Sequence, residues 1–260
     1  MDMAKQFTGF QTILLYTIRK LLLSKRIYIT LLILLFIVAV MAYASTLELT
    51  EEDIANNKTK VDIGVDMLDV LILFFFMPVM AMIYGSSLVR DEMDDRSITA
   101  VVTSPMNRMV TFVAYYLGLA ISVSLIMLLI VVAGYLSYFG SVGLDGTAGI
   151  IGSMAALMVI GAFAYSALFI MISVLLSKPI FFGLFYAFIW EGFIGSIPGR
   201  ISWLSIKHYI RSLGSHWISV GDISAYPDAH SVSGAARVLV ILSIVVFVMG
   251  ALLFRDKEFT

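Results

Sequence analysis

Apolar residues run along this chain in long blocks, and the polar positions between them come in short, dense groups. A helix needs about 20 mostly apolar residues to cross roughly 30 Å of hydrocarbon. Six blocks fit: 27–44, 68–89, 110–138, 149–176, 180–197 and 236–254. The pattern predicts an all-α membrane protein of six transmembrane helices, with a helical segment over 1–26 followed by a six-span domain over 27–260. Ala42-Tyr43-Ala44, after the first block, resembles a signal-peptidase site. A signal peptide has a short basic start, whereas 26 residues precede this block, so it reads as a span.

Between the blocks, three stretches show helical periodicity of a different kind. Phe7, Phe10, Leu14, Ile18 and Leu21 recur at three- and four-residue steps beside Lys5, Arg19, Lys20, Lys25 and Arg26. That combination predicts an amphipathic helix lying in the inner membrane interface, its cations available to anionic headgroups. The plainer alternative is a basic segment that only sets topology. Near the other end of the chain, Trp203, Ile206, Ile210 and Leu213 form an apolar stripe opposite Lys207, His208 and Arg211, with Pro198-Gly199 breaking the fifth block just before it. This predicts a re-entrant or interfacial helix, or more simply a surface-lying anchor.

The third stretch, residues 90–108, packs seven charged residues into nineteen between two apolar blocks. Glu92 and Arg96 stand four apart with the acid first, the favourable order for a helical pair, and Ile98, Val101 and Val102 supply an apolar face. Ser104-Pro105 ends that helix, and Ser104 can cap a new one carrying Asn107 and Arg108 into the third span. A solvated topological loop fits the same periodicity.

Composition agrees with the spans. At 60% hydrophobic and 13% charged residues the chain exceeds the apolar share of an ordinary soluble domain, about 45–50%. A net charge of −1 gives no global attraction to nucleic acid, and the absence of cysteine removes disulfides, thiolate metal sites and cysteine nucleophiles. The distribution of cations is more telling than their sum. With both termini inside, eleven Lys and Arg fall on the inner side and six on the outer, which favours cytoplasmic termini. The outer loop also holds His216 and His230, fourteen apart, a weak metal signal.

Glu191 is an intramembrane carboxylate. Such a group costs about 2.5–3.5 kcal/mol at helix centre on insertion scales, so it must face protein or water and pair or take up a proton. Arg200, Lys207, Arg211 and Arg237 are candidate partners for a structural pairing, with proton coupling or cargo contact as the other possibilities.

The run "RDEMDDRSITAVVTSPMNR" resembles the segment of ABC-2 type transporter permeases in which an acidic residue follows the second span and a serine-proline pair with a basic residue precedes the third. "WEGFIGSIPGRISWLSIKHYIRSL" resembles the tryptophan-glutamate and serine-isoleucine-x-x-tyrosine pattern of prokaryotic members, and the order of elements matches along essentially the whole chain. The resemblance implies that Arg90, Asp91, Glu92, Arg96, Ile98, Val101, Ser104, Pro105 and Arg108 belong to a coupling helix that docks on a separate ABC ATPase subunit. It further implies ATP and magnesium on that partner and no cofactor on this chain, and a second permease copy in a homodimer. Export across the plasma membrane is implied too, with Trp203, Lys207, His208 and Arg211 in a helix capping the exit. The chain has no G-x-x-x-x-G-K-[ST] loop of its own.

Other classes fit less well. An intramembrane protease would show G-x-S-x-G or H-E-x-x-H, which are absent, so no catalytic residue is expected. A secondary transporter would show more spans and an inverted repeat, while a signalling or scaffold membrane protein is compatible with composition. The sparse intramembrane charge, fifteen methionines and aromatics such as Phe74, Phe75, Phe76, Phe181, Phe182 and Phe185 suit a hydrophobic or amphipathic cargo.

Overall fold

The computed structural model describes residues 3–86, 88–89, 107–197 and 199–256. Among them the regular elements are all helical. They are α1 (Met3–Leu22), α2 (Ile27–Thr46), the short α3 (Glu51–Ala55), α4 (Lys60–Gly85), α5 (Arg108–Val142), α6 (Ala148–Leu175), α7 (Pro179–Glu191), α8 (Ile206–Trp217) and α9 (Val232–Asp256). Five of these, α2, α4, α5, α6 and α9, are long and apolar enough to cross a membrane.

The chain order of α2, α4, α5, α6 and α9 follows five of the expected spans, with two differences. α4 starts at Lys60, well before the apolar block at residue 68, because Thr59 and Asp62 close a reciprocal cap in which each side chain accepts from the other's backbone N–H. The carboxylates that end the hydropathy signal are thus inside the helix. The fifth block is the larger departure. α7 is a six-residue α segment followed by a seven-residue wide π turn, and it stops at Glu191 instead of running to residue 197. At 1.5 Å per residue it rises about 20 Å, short of the roughly 30 Å of a bilayer. Beyond it the backbone makes tight 3-10 turns at Ile194–Ser196 and Ser202–Leu204 before α8 begins.

α5, the longest helix, is the axis of the bundle. Its first half receives α1, where Gly118 lets Thr17 and the Leu14 carbonyl approach so closely that a Cβ there would sit 2.8 Å from Thr17 Cβ. Further along, Gly134 makes room for Ile37 of α2 and for Leu68 and Ile72 of α4. On the other side Phe254 of α9 packs on Phe112 and Tyr115 of α5, and Gly250 brings α9 against Met171 of α6. Tyr84 and Thr30 share a hydrogen bond of 2.7 Å, and Tyr138 donates to the Lys60 carbonyl at 2.8 Å, so these buried hydroxyls are satisfied within the interior.

α5 does not start as the sequence suggests. Asn107 is its cap, with extended backbone and its side chain accepting from Met109 N at 2.9 Å, so the helix begins at Arg108 and Asn107 is not carried inside it. Arg90, Asp91, Glu92, Arg96, Ile98, Val101, Ser104 and Pro105 lie outside the described residues.

Candidate functional site

The polar residues of the outer segment converge where α7 ends and α8 begins. The first backbone N–H groups of a helix lack partners of their own and carry the positive end of its dipole. In α8 the residue at the cap position, Ser205, supplies no such bond to the helix. The Glu191 carboxylate does it from α7. Its Oε1 accepts from Ile206 N at 3.0 Å and its Oε2 from Lys207 N at 3.2 Å. Ser205 Oγ donates to Oε2 at 2.5 Å and Tyr186 Oη to Oε1 at 2.6 Å. Both oxygens are filled in a setting where Glu191 is only 1% exposed. Trp190, the preceding residue, donates from Nε1 to the Leu204 carbonyl at 3.0 Å, clamping the same two chain ends.

The expected cationic partner therefore takes another form. Lys207 meets Glu191 through its backbone N–H and sends Nζ to the Glu191 main-chain carbonyl at 3.0 Å, while the ammonium sits 3.4 Å above the Phe74 ring. Gly195 permits this crowding, since a Cβ there would lie 2.7 Å from Ser205 Oγ.

Arg211 follows Lys207 by one turn. Its Nη2 binds Asp69 Oδ2 at 2.5 Å and its guanidinium lies 4.7 Å over the Tyr226 ring. Asp69 is 1% exposed and sits in a nine-residue π stretch of α4, Leu68–Phe76. Asp69 Oδ1 and Arg211 Nε are buried and find no hydrogen-bond partner among the described residues. Nearby, α4 presents Asp62 and Asp66 on the same face, at i, i+4 and i+7 with Asp69. Asp62 accepts from Gly221 N, Asp66 accepts from Asp222 N, and Lys58 bridges Asp66 and Asp222 at 2.8 and 2.9 Å. Those two carboxylates hold the Lys58 ammonium pKa above its usual value.

His208 is fully buried. Its Nδ1 lies 3.1 Å from Ser202 Oγ and 3.0 Å from Tyr226 Oη, and its Nε2 lies 3.2 Å from His230 Nδ1. Burial, with His230 alongside, pushes the His208 pKa down to about 4. Trp203 is not part of the helix. It stands in the preceding 3-10 turn with its ring edge-on to His230 at 4.8 Å. His216 Nδ1 lies 2.8 Å from the Ser212 carbonyl, and no group of three metal-capable side chains occurs among the described residues.

The polar side of α8 is therefore turned largely inward: Lys207 and His208 are as buried as Ile206 and Ile210, while Arg211 keeps partial exposure. It runs alongside α6 in the reverse direction, with Ile210 near Gly161, Gly214 near Leu157, and Ser153 donating to the Trp217 carbonyl. Between the π stretches of α4 and α7 lies an aromatic cleft of about 300 Å³ that includes Phe74, Phe75, Phe188 and Phe193. At the opposite end of the bundle, Arg108 donates to the Arg255 carbonyl at 2.9 Å, tying α5 to α9.

Asp69, Tyr186 and Ser205 escape the sequence reading. Asp69 stood inside an expected span and was as conspicuous a charge as Glu191, and its spacing from Asp62 and Asp66 marked one helical face. Tyr186 and Ser205 carried no such signal.

Long apolar helices packed around a largely buried polar helix, antiparallel to α6, define a polytopic membrane protein. The chain belongs to the ABC-2 family of transporter proteins, whose family model matches residues 18–259. It is thus the membrane permease component of an ABC transporter. A comparison with curated proteins finds no match.

Proposed function

We propose that the chain is the permease of an ATP-driven exporter, working as a homodimer with two copies of a separate ABC ATPase that binds the ATP and magnesium. It resides in the plasma membrane with both termini cytoplasmic, the orientation favoured by the eleven-to-six distribution of Lys and Arg. α7 serves as the fifth of six membrane segments, completed by the turns that follow it.

The observation that carries this reading is the break after Glu191. Irregular backbone at membrane depth persists only where protein or water covers it. Here it is flanked by Phe193, Ile201 and Leu204, which are 68%, 48% and 64% exposed. A second permease copy facing α7 would supply the cover and turn the aromatic cleft toward a shared path. That lining suits a hydrophobic or amphipathic cargo. α8, held by Glu191 and Asp69, closes the outer end of the path.

On the inner side, residues 90–108 join α4 to α5, with Arg90, Asp91, Glu92 and Arg96 setting docking register and Ile98 and Val101 forming the buried anchor. Ile98→Asp with Val101→Asp would place charge in that anchor. We expect loss of ATPase co-purification and of ATP turnover in reconstituted vesicles while membrane expression persists. Unchanged binding and turnover would reduce the stretch to a topological loop.

A further inference from the structure

The face of α1 turned away from α5 extends the interfacial reading of this helix to a particular ligand. Packing fixes its orientation: Thr17 and Leu21 are buried, Thr17 against Gly118. The opposite side forms an open groove of about 780 Å³ whose walls include Leu15, Tyr16, Arg19, Lys20, Leu23 and Ser24. Leu15 and Leu23 are 61% and 76% exposed, more than their solvation in water would favour. Lys20 Nζ lies 5.9 Å from the Tyr16 ring centroid, and Ser24 Oγ donates to the Leu21 carbonyl.

Charge and depth together select an occupant. Residues 3–47 carry Lys5, Arg19, Lys20, Lys25 and Arg26 and no Asp or Glu. α1 is separated from the apolar helix α2 by a short turn, so the groove sits where hydrocarbon gives way to headgroups. Adjacent cations within an exposed apolar wall match a molecule that is anionic at one end and apolar at the other.

We propose that this groove seats one anionic phospholipid of the leaflet at the α1 end. Its phosphate lies against Arg19 with Lys20 flanking, and its acyl chains run along Leu15 and Leu23. Arg19 supplies two-pronged hydrogen bonding to the phosphate, and Lys20 adds charge. The site is separate from the polar cluster around Glu191 and does not depend on the transport reading.

The test uses the purified full-length chain, with phosphatidylglycerol and phosphatidylcholine of matched acyl chains as probes, read by native mass spectrometry and by lipid-dependent thermal protection. Phosphatidylglycerol should be retained in preference to phosphatidylcholine. Arg19→Gln and Lys20→Gln should each weaken that retention roughly five-fold, while Arg237→Gln at the other end of the bundle leaves it unchanged. Leu15→Ser with Leu23→Ser should weaken it too, and soluble glycerol 3-phosphate should give no protection. Leu15, Arg19 and Leu23 are exposed, so the lipid-free melting temperature of their variants should hold and shows that each is folded. Equal retention of the two lipids, unchanged retention in the arginine and lysine variants, or full protection by glycerol 3-phosphate would each overturn the proposal. So would loss of a dimer in place of lipid when the leucines are replaced, which would give the groove to a second copy.

Discussion

Glu191 illustrates how a buried carboxylate is held by hydrogen bonds to both of its oxygens. Two backbone N–H groups and two hydroxyls surround it, all of them donors. Glu191→Gln keeps the volume but turns one acceptor into an NH2 group facing a donor, and an unsatisfied buried group costs about 1–3 kcal/mol. The expected result is a lower melting temperature of the purified protein with transport per folded molecule nearly intact. Normal stability with abolished transport would instead assign Glu191 to protonation or cargo. Asp69 and Arg211 follow a different rule, since removing one member of a buried ion pair strands the other charge. Asp69→Ala should cost about 3–5 kcal/mol, whereas Asp69→Leu with Arg211→Met should recover most of that loss. Unfolding followed by tryptophan fluorescence measures both, and an unrecovered double variant would show that the pair does more than satisfy itself.

α8 is the element whose surroundings the sequence shows least. Its wheel has the Lys207, His208 and Arg211 side that usually faces water, yet in the fold that side meets Glu191, Asp69 and His230. The long apolar helices were legible because hydrophobicity alone specifies them. α8 was legible as a helix, but its surroundings come from residues far away in the chain, which no local period encodes. The same holds for the end of α7: Trp190-Glu191 was visible as a motif, but the cap it makes depends on chain that returns from Ser205. Acidity should expose how α8 is docked. His208 is held neutral in the fold, with a pKa near 4 against 6.5 in the unfolded chain, so the unfolded state binds the extra proton between those values. Its contribution to stability is complete above about pH 6.5 and declines as the pH falls toward 4. His208→Gln should flatten that part of the melting-temperature profile, and an unchanged slope would mean that the slope arises elsewhere.

Across the whole molecule, charge is sorted by height. The α1 end carries the cationic face of α1 and the tie from Arg108 to Arg255, while the far end holds Asp62, Asp66 and Asp69 against Lys58 and Arg211. The first group is readable in the sequence as a topology signal; the second is not, because Asp62 and Asp66 precede the apolar block, Asp69 stands at its start, and Arg211 comes from far along the chain. Inward from that far end run the π stretches of α4 and α7, in contact through Phe75 and Phe188 at 5.6 Å between ring centroids. A wide turn holds more residues than a regular helix needs for the same number of turns, and one surplus residue shifts everything beyond it by about 100° around the axis. The angular setting of each helix below that level is thus independent of its setting above. Shortening α4 by one residue between Asp69 and Phe74 would force a choice, because Asp69 could keep its place beside Arg211 or Phe74 its place under Lys207, but a regular helix could not present both.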